Sequence, residues 1–191
     1  MTFDTLLAVA IGIALSAAVG LRIFVPFLVM SVAARAGHLP LAPGFAWIAS
    51  TPALAAFAVA TIVEVTAYYV PWLDNLLDML GPPVAIAAGI LATASVVTDL
   101  PPLLKWSLAV IGGGGAAGIL HGTTAAARAA STLTTGGAAN FLLATVELAG
   151  AVVTSVLAIL LPLVALLAAI VLAGWLIARR PGVPRPGASS G

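Results

Sequence analysis

Charged side chains are so sparse in this chain that its apolar runs cannot form the interior of a soluble protein. Only 7% of the 191 residues are charged, against 62% hydrophobic, where soluble domains carry about 25% charged residues. A water-facing shell around an interior of this size cannot be assembled from so few. Soluble enzymes, nucleic-acid binders and disordered regulators are thereby excluded, leaving a polytopic all-α membrane helical bundle. The formal net charge of +1 provides no basic footprint for a polyanion, so no nucleic-acid partner is expected. Without cysteine there is no thiolate nucleophile or thiolate metal site. The apolar stretch from Asp4 to Gly20 lacks a basic n-region and reads as a retained helix.

Crossings follow from runs of about 20 apolar residues. The first candidate, Asp4 to Ala36, would be about 50 Å long as one helix, against a hydrocarbon core of about 30 Å. Gly20 and Pro26 place a break or kink inside it. A Pro/Gly-rich loop follows, with Trp47 as an interfacial anchor. A second crossing runs from Ala53 to Val70. The piece WLDNLLDML then puts leucines on one face and Asp74, Asn75 and Asp78 on the other, the pattern of an interfacial helix. Gly81-Pro82-Pro83 is read as its stop. The third crossing runs from Pro83 to Thr98, and the fourth from Leu103 to Thr135, interrupted by the run Gly112 to Gly115. Ala138 to Leu161 and Pro162 to Ala178 complete about six crossings. One transmembrane domain, residues 1–178, thus precedes a disordered Pro/Gly/Ser-rich tail, 179–191. Arg128, Arg179, Arg180 and Arg185 outnumber Arg35 and Lys105 on the opposite side, which places both termini in the cytoplasm.

The halves, about 4–98 and 103–178, repeat one order. AAVGL (Ala17 to Leu21), AARA (Ala33 to Ala36) and Val63-Glu64 correspond to AAGIL (Ala116 to Leu120), AARA (Ala126 to Ala129) and Val146-Glu147. Each half reads as a long broken helix, a helix with one central Glu, and a plain helix. Three crossings per half give a 3+3 inverted repeat with broken first and fourth helices, an architecture used by transporters and channels.

Each charge at membrane depth costs several kcal/mol unless paired or hydrated. Glu64 and Glu147, expected near the middle of their helices among small neighbours, are candidate proton or cation groups. Arg22, His121, Thr124 and Arg128 are candidate counter-charges or ligands. The competing reading pairs Glu64 with Arg22 and Glu147 with Arg128, or has each Glu cap broken backbone. From Ser131 onward the hydroxyls read as bonding local backbone. The Gly112 to Gly115 run lacks a phosphate-loop ending and marks close packing or unwound backbone. No metal, cofactor or catalytic motif is found.

Three strings, AVGLRIFVPF (Ala18 to Phe27), YYVPWLDNLLD (Tyr68 to Asp78) and HGTTAAARAASTLTTGGAAN (His121 to Asn140), resemble the bacterial integral-membrane family catalogued as domain of unknown function 4126. The resemblance implies a small multi-pass bacterial membrane protein and carries no substrate; the expected location is the bacterial cytoplasmic (inner) membrane. From the residues, the expected role is a small transporter or channel moving an ion or solute through a midplane site at the repeat interface. The alternatives are a carrier for an anionic-headgroup lipid, with Arg22, His121 and Arg128 taking the headgroup, or a structural membrane protein. The lipid bilayer is the expected surrounding, and Ala/Gly-rich faces permit a homodimer.

Overall fold

The computed structural model describes residues 2–68 and 70–178. The tail with Arg179, Arg180 and Arg185, and the side chains of Asp74 and Asp78, lie outside the described residues. Among the described residues the chain is all-α, with no strand. Its helices are α1 (Phe3–Leu21), α2 (Phe24–Arg35), α3 (Thr51–Ala67), α4 (Pro71–Val96), α5 (Pro102–Leu108), α6 (Gly115–Thr135), α7 (Asn140–Leu160) and α8 (Pro162–Ala178). A 3-10 helix (Pro43–Ala49) precedes α3, and a π-helical turn (Ala109–Gly114) joins α5 to α6.

Local chemistry sets most of these boundaries. Thr2 and Ser50 cap α1 and α3 by accepting the amides of Thr5 and Ala53. Proline occupies the first turn of α3, α4 and α5, where its missing amide costs nothing. Gly136, at φ 63°, closes α6 in the left-handed conformation.

Helix α1 is the centre of the bundle and packs against α4, α6, α7 and α8. Small residues allow this. Ser16 donates to the Gly89 carbonyl at 2.6 Å and meets Thr93 Oγ1 at 2.9 Å, tying α1 to α4. A Cβ on Gly20 would stand 2.6 Å from the Ala117 carbonyl oxygen, so the strings AAVGL and AAGIL cross at backbone contact.

The first long segment does break where Gly20 and Pro26 lead one to expect. Arg22 leaves the helix at φ −148°, ψ 126°. The chain then turns back instead of continuing as a kinked crossing. Leu39 and Pro40, just past α2, line one pocket with Asp4 at the start of α1. The expectation that both termini share a side counts 4–36 as a single crossing and does not follow from this path. The second long segment behaves differently, because its glycine run forms a π turn and the helix continues on both sides. Wider i→i+5 bonds keep amides satisfied that unwound backbone would expose to lipid. The bare backbone there lets α4 approach, with Gly113 against the Gly89 carbonyl and Thr93.

Gly81-Pro82-Pro83 does not stop a helix either. Both prolines lie inside the continuous α4. Two amides are lost, and packing along α1 carries the helix through them. Among the described residues, four helices are long and apolar enough to cross a membrane: Phe3–Leu21, Met79–Val96, Pro102–Thr135 and Asn140–Leu160. A fifth span results if the 3-10 helix and α3, bent by 65°, count as one.

Candidate functional site at the floor of an apolar cleft

The break after α1 leaves amides at the start of α2 without helical partners, and α2 brings no side-chain cap of its own. Glu64 supplies one from α3. Its Oε1 accepts the Ile23 amide at 2.7 Å and its Oε2 the Phe24 amide at 3.0 Å. A carboxylate at a helix N-terminus satisfies two donors and faces the positive end of the helix dipole. Glu64 therefore caps broken backbone, and its salt bridge to Arg22 is not formed. Its position differs from expectation too. Ser50 starts α3 early and Pro71 begins the next helix, so Glu64 falls in the last turn of α3 instead of its middle.

Arg22 reaches the other half of the chain. Its Nη2 donates to the Ala144 carbonyl at 2.8 Å and lies 3.5 Å from Glu147 Oε2. Arg128 takes Glu147 side-on, with Nε 3.2 Å from Oε1 and Nη2 on Oε2. Both guanidiniums rest on Tyr68, with Cζ of Arg22 3.7 Å and Cζ of Arg128 4.0 Å from the ring centroid. Arg22, Glu64, Arg128 and Glu147 are only 2–7% exposed. Among the described residues, two guanidiniums and two carboxylates thus gather in one buried cluster, with the Tyr68 ring against both guanidiniums.

His121 lies against the cluster. Its buried Nε2 has no hydrogen-bond partner among the described residues. That nitrogen abuts Gly81 of α4, where a Cβ would collide with it. Thr124 is not drawn in, because its hydroxyl bonds the His121 carbonyl at 3.0 Å. Thr132, Thr134 and Thr135 bond carbonyls of their own helix in the same way. Sequence reasoning gave Tyr68 no role of its own and read Gly81 only as part of a helix stop. The signal available for Tyr68 was its place one turn after Glu64.

Helices α3 and α4 diverge and leave a cleft of about 720 Å³ between them. Val59 and Val63 on α3 face Leu80 and Val84 on α4, and all four are largely exposed. Ile23 and Phe24 form the floor together with Glu64, Tyr68 and Gly81. The arginines and Glu147 are not part of the lining. A cavity of this size with apolar walls and few polar groups has the character of a small-molecule site. Among the described residues no group of His, Asp and Glu has the arrangement of a metal site.

Apolar helices long enough to span a bilayer, packed around a buried charged cluster, fit an integral membrane protein. The chain belongs to the family described as Domain of unknown function (DUF4126), whose model matches residues 9–180. No curated protein and no solved structure matches it.

Proposed function

We propose that this protein is a lateral-access membrane carrier, which admits a membrane-dissolved molecule through the cleft between α3 and α4 and holds its polar end at Glu64. The observation that carries this reading is the cleft itself: walls fit for hydrocarbon, ending on a carboxylate and an aromatic ring. In a membrane-spanning chain the exposed apolar rims at Val59, Val63, Leu80 and Val84 face lipid, so entry is sideways. Glu64 keeps its role as the proton- or cation-binding group, with Arg22 and Arg128 as neighbouring counter-charges. The setting is the bacterial cytoplasmic membrane.

Transport of a small ion through a site shared by both glutamates has less support. The cleft reaches Glu64 alone, while Glu147 is enclosed by two guanidiniums. The test is labelling with a diazirine-bearing acyl chain in nanodiscs, mapped by peptide mass spectrometry. Label concentrated on α3 and α4 in the wild type, and lost from both in Ala60→Trp, is the expected result. Label spread evenly over exposed positions such as Leu103 and Leu167 would overturn the proposal. Exchange of the captured molecule between proteoliposome leaflets then reads carriage directly.

A further inference from the structure

The carboxylate that Glu64 brings to the floor of the cleft is an acceptor. Each Glu64 oxygen takes one backbone amide, and a carboxylate has about four lone-pair sites, so half of its capacity is unused. Among the described residues no arginine or lysine nitrogen lies at ion-pair distance from Glu64, since both nearby guanidiniums engage Glu147. Beside it, His121 Nε2 is buried with no hydrogen-bond partner among the described residues. Only the bare backbone of Gly81, itself part of the lining, separates that nitrogen from the cleft.

Building on the lateral-cleft reading, we infer that the ligand is an amphiphile whose polar end is a protonated amine on an acyl chain. An ammonium supplies three donors and a positive charge to a buried carboxylate that lacks an ion-pair partner. Val59, Val63, Leu80 and Val84 take the chain. An anionic headgroup, the alternative raised by the arginines in the sequence, fits poorly. It would meet the Glu64 carboxylate first, while Arg22 and Arg128 stay off the lining.

The experiment displaces the diazirine acyl probe from the full chain in nanodiscs with dodecylamine, dodecanol and dodecanoate, read as label on α3 and α4 peptides. Dodecylamine should displace it at a concentration on the order of tenfold below dodecanoate, with dodecanol between them. Glu64→Gln should bring amine and alcohol within about twofold of each other. Dodecanoate matching or surpassing dodecylamine overturns the amine assignment and leaves the cleft reading standing. Absence of label from α3 and α4 overturns both. If Ala60→Trp then also converts a dimer to a monomer by light scattering, a second copy fills the cleft. Should Glu64→Gln fail to fold through loss of the α2 cap, the ranking of the three wild-type displacements decides alone.

Discussion

Arg128 grips Glu147 with two of its nitrogens across the joint between α6 and α7, one of them 3.2 Å from Oε1. The two side chains are almost fully buried, so neither charge can be left alone at low cost. Arg128→Ala strands Glu147 with Arg22 at 3.5 Å. It should destabilise the protein by about 3–5 kcal/mol, the usual effect of breaking a buried pair. Arg128→Lys should fall between, because a point charge cannot make the two-pronged contact. Unfolding in detergent checks the order. The double replacement Arg128→Met with Glu147→Leu should lose less than the two single changes summed, since Arg22 keeps its bond to the Ala144 carbonyl.

The cap that Glu64 places on α2 gives a local prediction. Glu64→Gln keeps one acceptor and presents an NH₂ group to an amide that needs an acceptor, so one of two capping bonds is lost. The expected cost is about 1–2 kcal/mol, and Glu64→Ala should cost more. The distinguishing readout is hydrogen exchange at Ile23 and Phe24, which should quicken far more than exchange in the middle of α1. Equal quickening in both places would mean that Glu64 acts through global stability alone.

Much of the fold was legible in the sequence for identifiable reasons. Long apolar runs and the proline that opens α8 act locally, and the helices follow them. Glu64, Glu147, Arg22 and Arg128 could be read as one set because buried charges must find one another. Partnership was harder. That Glu64 serves the amides of Ile23 and Phe24 depends on α2 folding back after Arg22, a turn set by packing and not by any residue near the break. The same holds for the cleft, which exists because α3 and α4 diverge. No periodicity in either helix encodes that divergence. Thr124 shares a helical face with Arg128, yet its own backbone offered a nearer acceptor in the His121 carbonyl.

Tyr68 should matter for its ring. Two guanidinium carbons lie within 4.0 Å of the centroid, and desolvated cation–π contacts are worth about 2 kcal/mol each. Tyr68→Phe retains that surface, and Tyr68→Leu removes it. The leucine variant should therefore lose about 2–4 kcal/mol more than the phenylalanine variant in the same unfolding assay. A phenylalanine variant as damaged as the leucine one would shift the weight to the hydroxyl.

Glycines in α1 and α6 provide a matched pair of opposite sign. A Cβ at Gly20 would lie 2.6 Å from the Ala117 carbonyl oxygen and 2.7 Å from Leu120 Cβ. Neither atom can swing away, since one is backbone and the other is rooted on it. Gly20→Ala should force α1 and α6 apart and cost about 1–3 kcal/mol, despite the better helix propensity of alanine. Gly115, at φ −63° in the first turn of α6, has nothing within 4 Å of its added Cβ. There propensity acts unopposed, and Gly115→Ala should stabilise the protein by about 0.5–1 kcal/mol. Melting both variants beside the wild type tests the contact between the two similar strings. A harmless Gly20→Ala would show that α1 and α6 do not meet at backbone distance, and the floor of the cleft would then lose the frame that sets His121 against Gly81.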